Sequence, residues 1–105
     1  MADELPEPFT DFAQRYPDVH AAYEALAEAA HVAGPLTERE RRLVKLGIAI
    51  GGRLEGAVRS HARQARAAGV SRDAIDHAAL LALTTIGLPS TVAARSWIAD
   101  ALLEG

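Results

Sequence analysis

The 105-residue sequence contains no cysteine. That absence removes a disulfide framework, a thiolate nucleophile and zinc–thiolate ligation in one step. Aromatic residues are scarce too, at 5% of the chain, while half of all residues are apolar. The apolar mass is therefore mostly alanine and leucine, strong helix formers whose small side chains let helices approach closely. No apolar run reaches the ~18 residues that a membrane span requires. The opening MADELPEPF is acidic and has no apolar core of the kind a secretory signal needs, so the expectation is a soluble cytoplasmic protein. No HExxH-type spacing is present, and neither a metal nor a cofactor is expected.

The net charge of −3 is small but unevenly spread. Residues 1–36 hold one basic and seven acidic residues, and residues 37–72 hold nine basic and three acidic. A basic middle suits an anionic partner. It suits complementarity within the chain or between subunits equally well. The basic residues lie at helical spacing with no aromatic residues among them, so nucleic acid is not the expected partner.

Residues 1–8, with two prolines and three acids, read as an arm. Residues 9–105 read as one helical domain, a size within the usual range. Phe9 and Phe12 are the expected anchors of a short helix over 10–16 capped by Thr10, and Pro17 suits the first position of the next helix. That helix shows apolar positions at steps of three and four from Val19 to Ala30. It stops at Gly34-Pro35. His20 and His31 fall on its rim.

Thr37 with Glu40 forms a capping box, so the next helix starts at Glu38. From Leu46 that helix is apolar on all sides, which predicts burial from every direction. Gly47 and Gly51 share one face, and each glycine costs about 1 kcal/mol inside a helix. The spacing predicts close approach of a neighbouring backbone there. A helix over 53–68 follows, with Leu54, Ala57, Val58, His61, Ala62 and Ala65 on one face and the i,i+4 pair Glu55–Arg59 on the other. Gly69 is a terminating glycine. Ser71 caps a nearly all-apolar helix running to Ile86, with His77 beside its stripe. Gly87-Leu88-Pro89-Ser90 reads as a tight turn before the last helix. A chain this short buries only about 60–68% of its unfolded surface. Two helices apolar on every side therefore predict an oligomer.

The order and spacing of LVKLGIAIGGR, LEGAVRSH, ARAAGVSRDAI and the GLP turn resemble the carboxymuconolactone decarboxylase family, which includes the alkyl hydroperoxidase D proteins. The resemblance covers roughly the last seventy residues. It implies an all-α, alkyl hydroperoxidase D-like fold of five to six helices, assembled as a trimer or hexamer. In the peroxidase-like members a Cys-x-x-Cys-x-x-x-His motif carries the chemistry. Here that motif falls on Leu54, Ala57 and His61, so the histidine remains and both cysteines are gone. A relay glutamate of those members falls on Arg42.

The resemblance thus implies a family member that has lost the redox cysteines: a non-redox oligomeric protein that binds a small hydrophobic or carboxylate ligand or serves assembly. The alternative is a cofactor-free decarboxylase or isomerase using His61 as general acid or base. Thiol peroxidase activity, the family's best-known association, lacks its nucleophile. Arg53, Leu54 and Ala57 are the candidate ligand-binding residues beside His61, with Arg53 the nearest basic partner for a carboxylate. The competing reading makes His61 a buried structural residue.

Overall fold

The computed structural model describes residues 7–103, and among them every regular element is helical. The elements are α1 (Glu7–Arg15), α2 (Pro17–His31), α3 (Glu38–Gly51), α4 (Glu55–Ala67), α5 (Arg72–Leu80), the single turn α6 (Leu83–Ile86) and α7 (Leu88–Leu102). Residues 1–6 of the expected arm lie outside the described residues, while Glu7 and Pro8 already belong to α1. The chain divides between Pro35 and Leu36 into two compact units. That division falls inside the span expected as one domain.

The first unit is a helical hairpin in which α1 packs on α2. Its helix starts at Glu7 rather than at a Thr10 cap, and Pro17 occupies the first turn of α2 as its fixed φ favours. Phe9 meets His20 edge-on with ring centroids 5.8 Å apart, and Phe12 stacks at a tilt on Tyr16 at 5.4 Å. His20 also lies 3.7 Å from Glu24.

The second unit holds the core. Leu46, Ile50, Val58, Val70, Ile75 and Ile98 are its fully buried large side chains, with Ala49, Ala62, Ala65, Ala79 and Ala94 between them. Helix α4 lies at the middle, packed on α3, α5 and α7. Small residues on its inner face, Ala62 and Ala65, let these neighbours come close.

The capping box forms as read: the Glu40 amide donates to the Thr37 hydroxyl and the Thr37 amide to the Glu40 carboxylate. Those bonds hold the Glu40 carboxyl below its ordinary range. Ser71 caps α5 by accepting from the Ala74 amide. At the other end of α4, Gly69 takes φ 91° and Val70 donates to the Ala65 carbonyl, the six-to-one bond of a Schellman turn.

Five local expectations change. The helix beginning at Ser71 does not run unbroken to Ile86. It closes at Leu80, where Leu81 and Ala82 adopt tighter dihedrals (ψ −19° and −20°) and Ala82 donates to Ala79 three residues back. Leu88, Pro89 and Ser90 form the first turn of α7, and the reversal rests on Gly87 alone, at φ 90° and ψ 170°.

The glycines of α3 are not approached by a neighbour either: a Cβ built at Gly47 or Gly51 meets no atom within 4 Å. They face outward with Val44 and Ile48, while Leu46, Ala49 and Ile50 face in. The helix is thus buried along one side, not all round.

Finally, α4 begins at Glu55 and not at Arg53, because Arg53 is the left-handed residue of a second Schellman turn. Its amide donates to Ile50 and that of Leu54 to Ala49. A side chain in this region costs roughly 1–2 kcal/mol, which glycine avoids. Replacing Arg53 by glycine also adds freedom to the unfolded chain. The net expectation for Arg53→Gly is a gain of about 0.5–1 kcal/mol in urea unfolding. A loss of stability would show that the contacts of the Arg53 side chain outweigh the backbone strain.

Candidate functional site

Helix α4 presents His61 toward α3 and half-buries it. Its Nδ1 is shut off from solvent and has no hydrogen-bond partner among the described residues. An N–H in that position would be an orphaned donor, so the proton is assigned to Nε2. Burial lowers the imidazole pKa, and the charges of Lys45 and Arg42 on α3 lower it further. Both cations disfavour a third positive charge, so the ring keeps its neutral form to a lower pH than an ordinary histidine does.

Arg42, at the position of the relay glutamate, is tied into a polar chain across the two helices. Its Nε donates to Glu38 at 2.9 Å and its Nη1 to the Gln64 side-chain carbonyl at 2.8 Å, while Gln64 donates to Ser60 at 3.0 Å. Lys45 makes no ion pair among the described residues. The sequence pointed to Arg42 as the substituted relay position. It did not single out Lys45, whose three-residue step from Arg42 places both on the α4-facing side of α3.

The other candidates are only loosely gathered around the histidine. Ala57 packs against the core one turn before His61. Leu54 lies at the N-terminal boundary of α4 and is exposed. It packs over the Cα of Gly52, where a Cβ would meet its Cγ at 3.2 Å. Arg53 donates from Nε to the Ser90 hydroxyl at 3.0 Å and from Nη1 to the Gly51 carbonyl at 3.5 Å. None of these bonds reaches His61. Glu55 pairs with Arg59 as expected, and Arg59 also bridges to Asp100 of α7. That bridge, reinforced by Glu55, raises the Arg59 pKa.

A separate feature escaped the sequence. An open groove of about 460 Å³ runs between α3, α5 and α6, lined by Leu43, Val44, Gly47, Ala78, Leu81 and Ile86 among others. His77 is exposed and lies on this groove with Thr85, so it is not packed into the core. His61 is not part of the lining. Among the described residues there is no cluster of histidine and carboxylate side chains able to hold a metal, and no helix long and apolar enough to cross a membrane.

The depressed His61 pKa has a measurable consequence for folding. The unfolded histidine titrates in its ordinary range, near 6.5, and the folded one below it. Between those values the unfolded state binds more protons, so stability falls as pH drops through this window. Urea midpoints measured from pH 7.5 to 5 should decline in the wild type. His61→Gln should remove the part of the decline assigned to this residue, and an unchanged slope would place the titration elsewhere.

Three comparisons bear on this geometry. The family model described as "Carboxymuconolactone decarboxylase family" matches residues 17–100. No curated protein matches the chain. Among solved structures, a carboxymuconolactone decarboxylase family protein from Legionella pneumophila, crystallised in its apo form, superimposes with a TM-score of 0.76 at 18% identity. The match covers 92% of this chain and 86% of that one, and at this identity it speaks for the fold alone. With the family model spanning most of its length, the chain belongs to the carboxymuconolactone decarboxylase family, as a member without cysteine.

Proposed function

We propose that this chain is a non-redox, homo-oligomeric member of the family, working in the cytoplasm as a small-molecule-binding or assembly protein. One observation carries the reading. Val44 and Leu81, which line the same groove, remain 48% and 62% exposed, and Ile48 and Leu80 remain 68% and 53% exposed. Exposed apolar surface of this kind marks interaction sites on soluble proteins. Multi-angle light scattering at micromolar concentration should return a trimer or hexamer, and Ile48→Glu should lower the mass. A monomeric wild type would overturn the reading.

A second reading keeps His61 as a general acid or base in a cofactor-free decarboxylation or isomerisation. It is favoured by the half-buried imidazole beside Lys45, an arrangement that keeps an unprotonated ring available as a base at neutral pH and a cation nearby to hold a carboxylate. Assaying small lactones and carboxylates with the wild type and His61→Gln tests it. Turnover that survives the substitution removes His61 from the chemistry.

A further inference from the structure

The α1–α2 hairpin carries its large apolar side chains on the outside. Phe9, Phe12, Tyr16, Val19, Tyr23 and Leu26 are between 41% and 67% exposed, and neither helix buries a residue. Helices of nine and fifteen residues are marginal in water on their own, and most helical stability in proteins comes from packing an amphipathic face. This face needs a cover. On the second unit, the groove between α3, α5 and α6 is also apolar and open.

The two stretches of chain also carry opposite charge. Residues 1–36 carry a balance of −6 and residues 37–72 one of +6. Asp11, Asp18 and Glu28 of the hairpin form no ion pair among the described residues, nor do Arg39, Lys45 and Arg63 of α3 and α4.

We propose that the α1–α2 hairpin of one copy docks its apolar face into the α3–α5–α6 groove of a second copy, its carboxylates meeting that copy's basic α3 and α4. The proposal deepens the oligomeric reading and rests on it. The contact is head-to-tail, so each copy offers a hairpin to one neighbour and a groove to another. Such a contact closes into a ring when the rotation between copies allows it, and a three-membered ring satisfies every hairpin and every groove. Opposite charge on the hairpin and on α3 and α4 speeds encounter, while the aromatic and aliphatic residues supply the buried area.

The absence of native cysteine makes a clean test available, because one introduced thiol is the only site for a maleimide reagent. Tyr23→Cys, carrying a maleimide-linked benzophenone, is prepared as equal amounts of ¹⁴N and ¹⁵N chains, co-refolded, irradiated and mapped by mass spectrometry. The expected products join position 23 of one isotopic copy to residues 43–51 or 74–86 of the other, in the proportion random mixing gives. The reciprocal probe at His77→Cys should capture residues 7–31 of the other copy, which guards against a Tyr23 variant that fails to assemble. High salt should reduce both yields by screening the exposed charges.

Products confined to a single isotope would place the hairpin in its own groove and overturn the proposal. Capture of another hairpin, or of surfaces away from the groove, would overturn it too. Light scattering on the same samples separates the two claims. An oligomer whose cross-links lie elsewhere defeats the docking proposal and leaves the oligomeric reading intact, whereas a monomer defeats both.

Discussion

Leu46→Ala should remove about 2–5 kcal/mol of stability, the range for truncating a fully buried leucine. Leu46 is 0% exposed and sits on the inward side of α3, within the same cluster as Ile50, Val58 and Ile75. Its loss removes apolar burial and leaves a void that helical neighbours cannot collapse into without moving their own cores. Small domains hold only about 5–15 kcal/mol in total, so this one change consumes a large share. For a domain near this length each kcal/mol moves the melting temperature by roughly 4–8 °C. Thermal and urea unfolding both report the effect. A cost under about 1 kcal/mol would mean that Leu46 is not the keystone its burial implies.

Ala62→Leu should cost about 1–3 kcal/mol for the opposite reason, overpacking. Ala62 is also 0% exposed, on the helix that packs on α3, α5 and α7 at once. The extra carbons have no empty volume to enter, so either side chains leave their rotamers or a helix shifts. The comparison variant is Ala67→Leu in the last turn of α4, which is exposed and should stay within about 0.5 kcal/mol of the wild type. Equal effects at both positions would show that α4 tolerates growth on its inner side. The pair is read by urea denaturation, where a change in midpoint at constant slope reports stability alone.

Much of the fold was legible because its signals are local. The Thr37–Glu40 box, the Ser71 cap and the Gly69 terminator each follow from side chains a few residues apart, and all three form. The interruption after Leu80 had no such signal: Leu80-Leu81-Ala82-Leu83 is made of good helix formers, and no glycine or proline marks the turn. The left-handed Arg53 was hidden by its neighbours, since Gly51 and Gly52 draw attention to positions that take ordinary helical angles or close to them.

The candidate site divides in the same way. His61 stood out as a polar residue on an alanine face, and Ala57 shares that face. The setting of His61 came only from α3, where Arg42 and Lys45 supply positive charge toward the ring. Arg53 lies close to His61 in sequence, but the turn sends its guanidinium to Ser90. The groove could not be read at all, because its walls come from residues 43–51 and 74–86, which only the packing of α3 on α5 brings together.

Helix α3 places two residue sets back to back. One row, Leu46, Ala49 and Ile50, answers to the interior, and the other, Val44, Gly47, Ile48 and Gly51, answers to whatever lies outside. Of the inner row, Ile50 alone also lines the groove. The outer row itself can drift, exchanging one neighbour for another or giving up association entirely, without loosening the interior. Apart from Ile50, selection on quaternary structure and selection on folding act on these two rows through separate letters of the same fourteen-residue word.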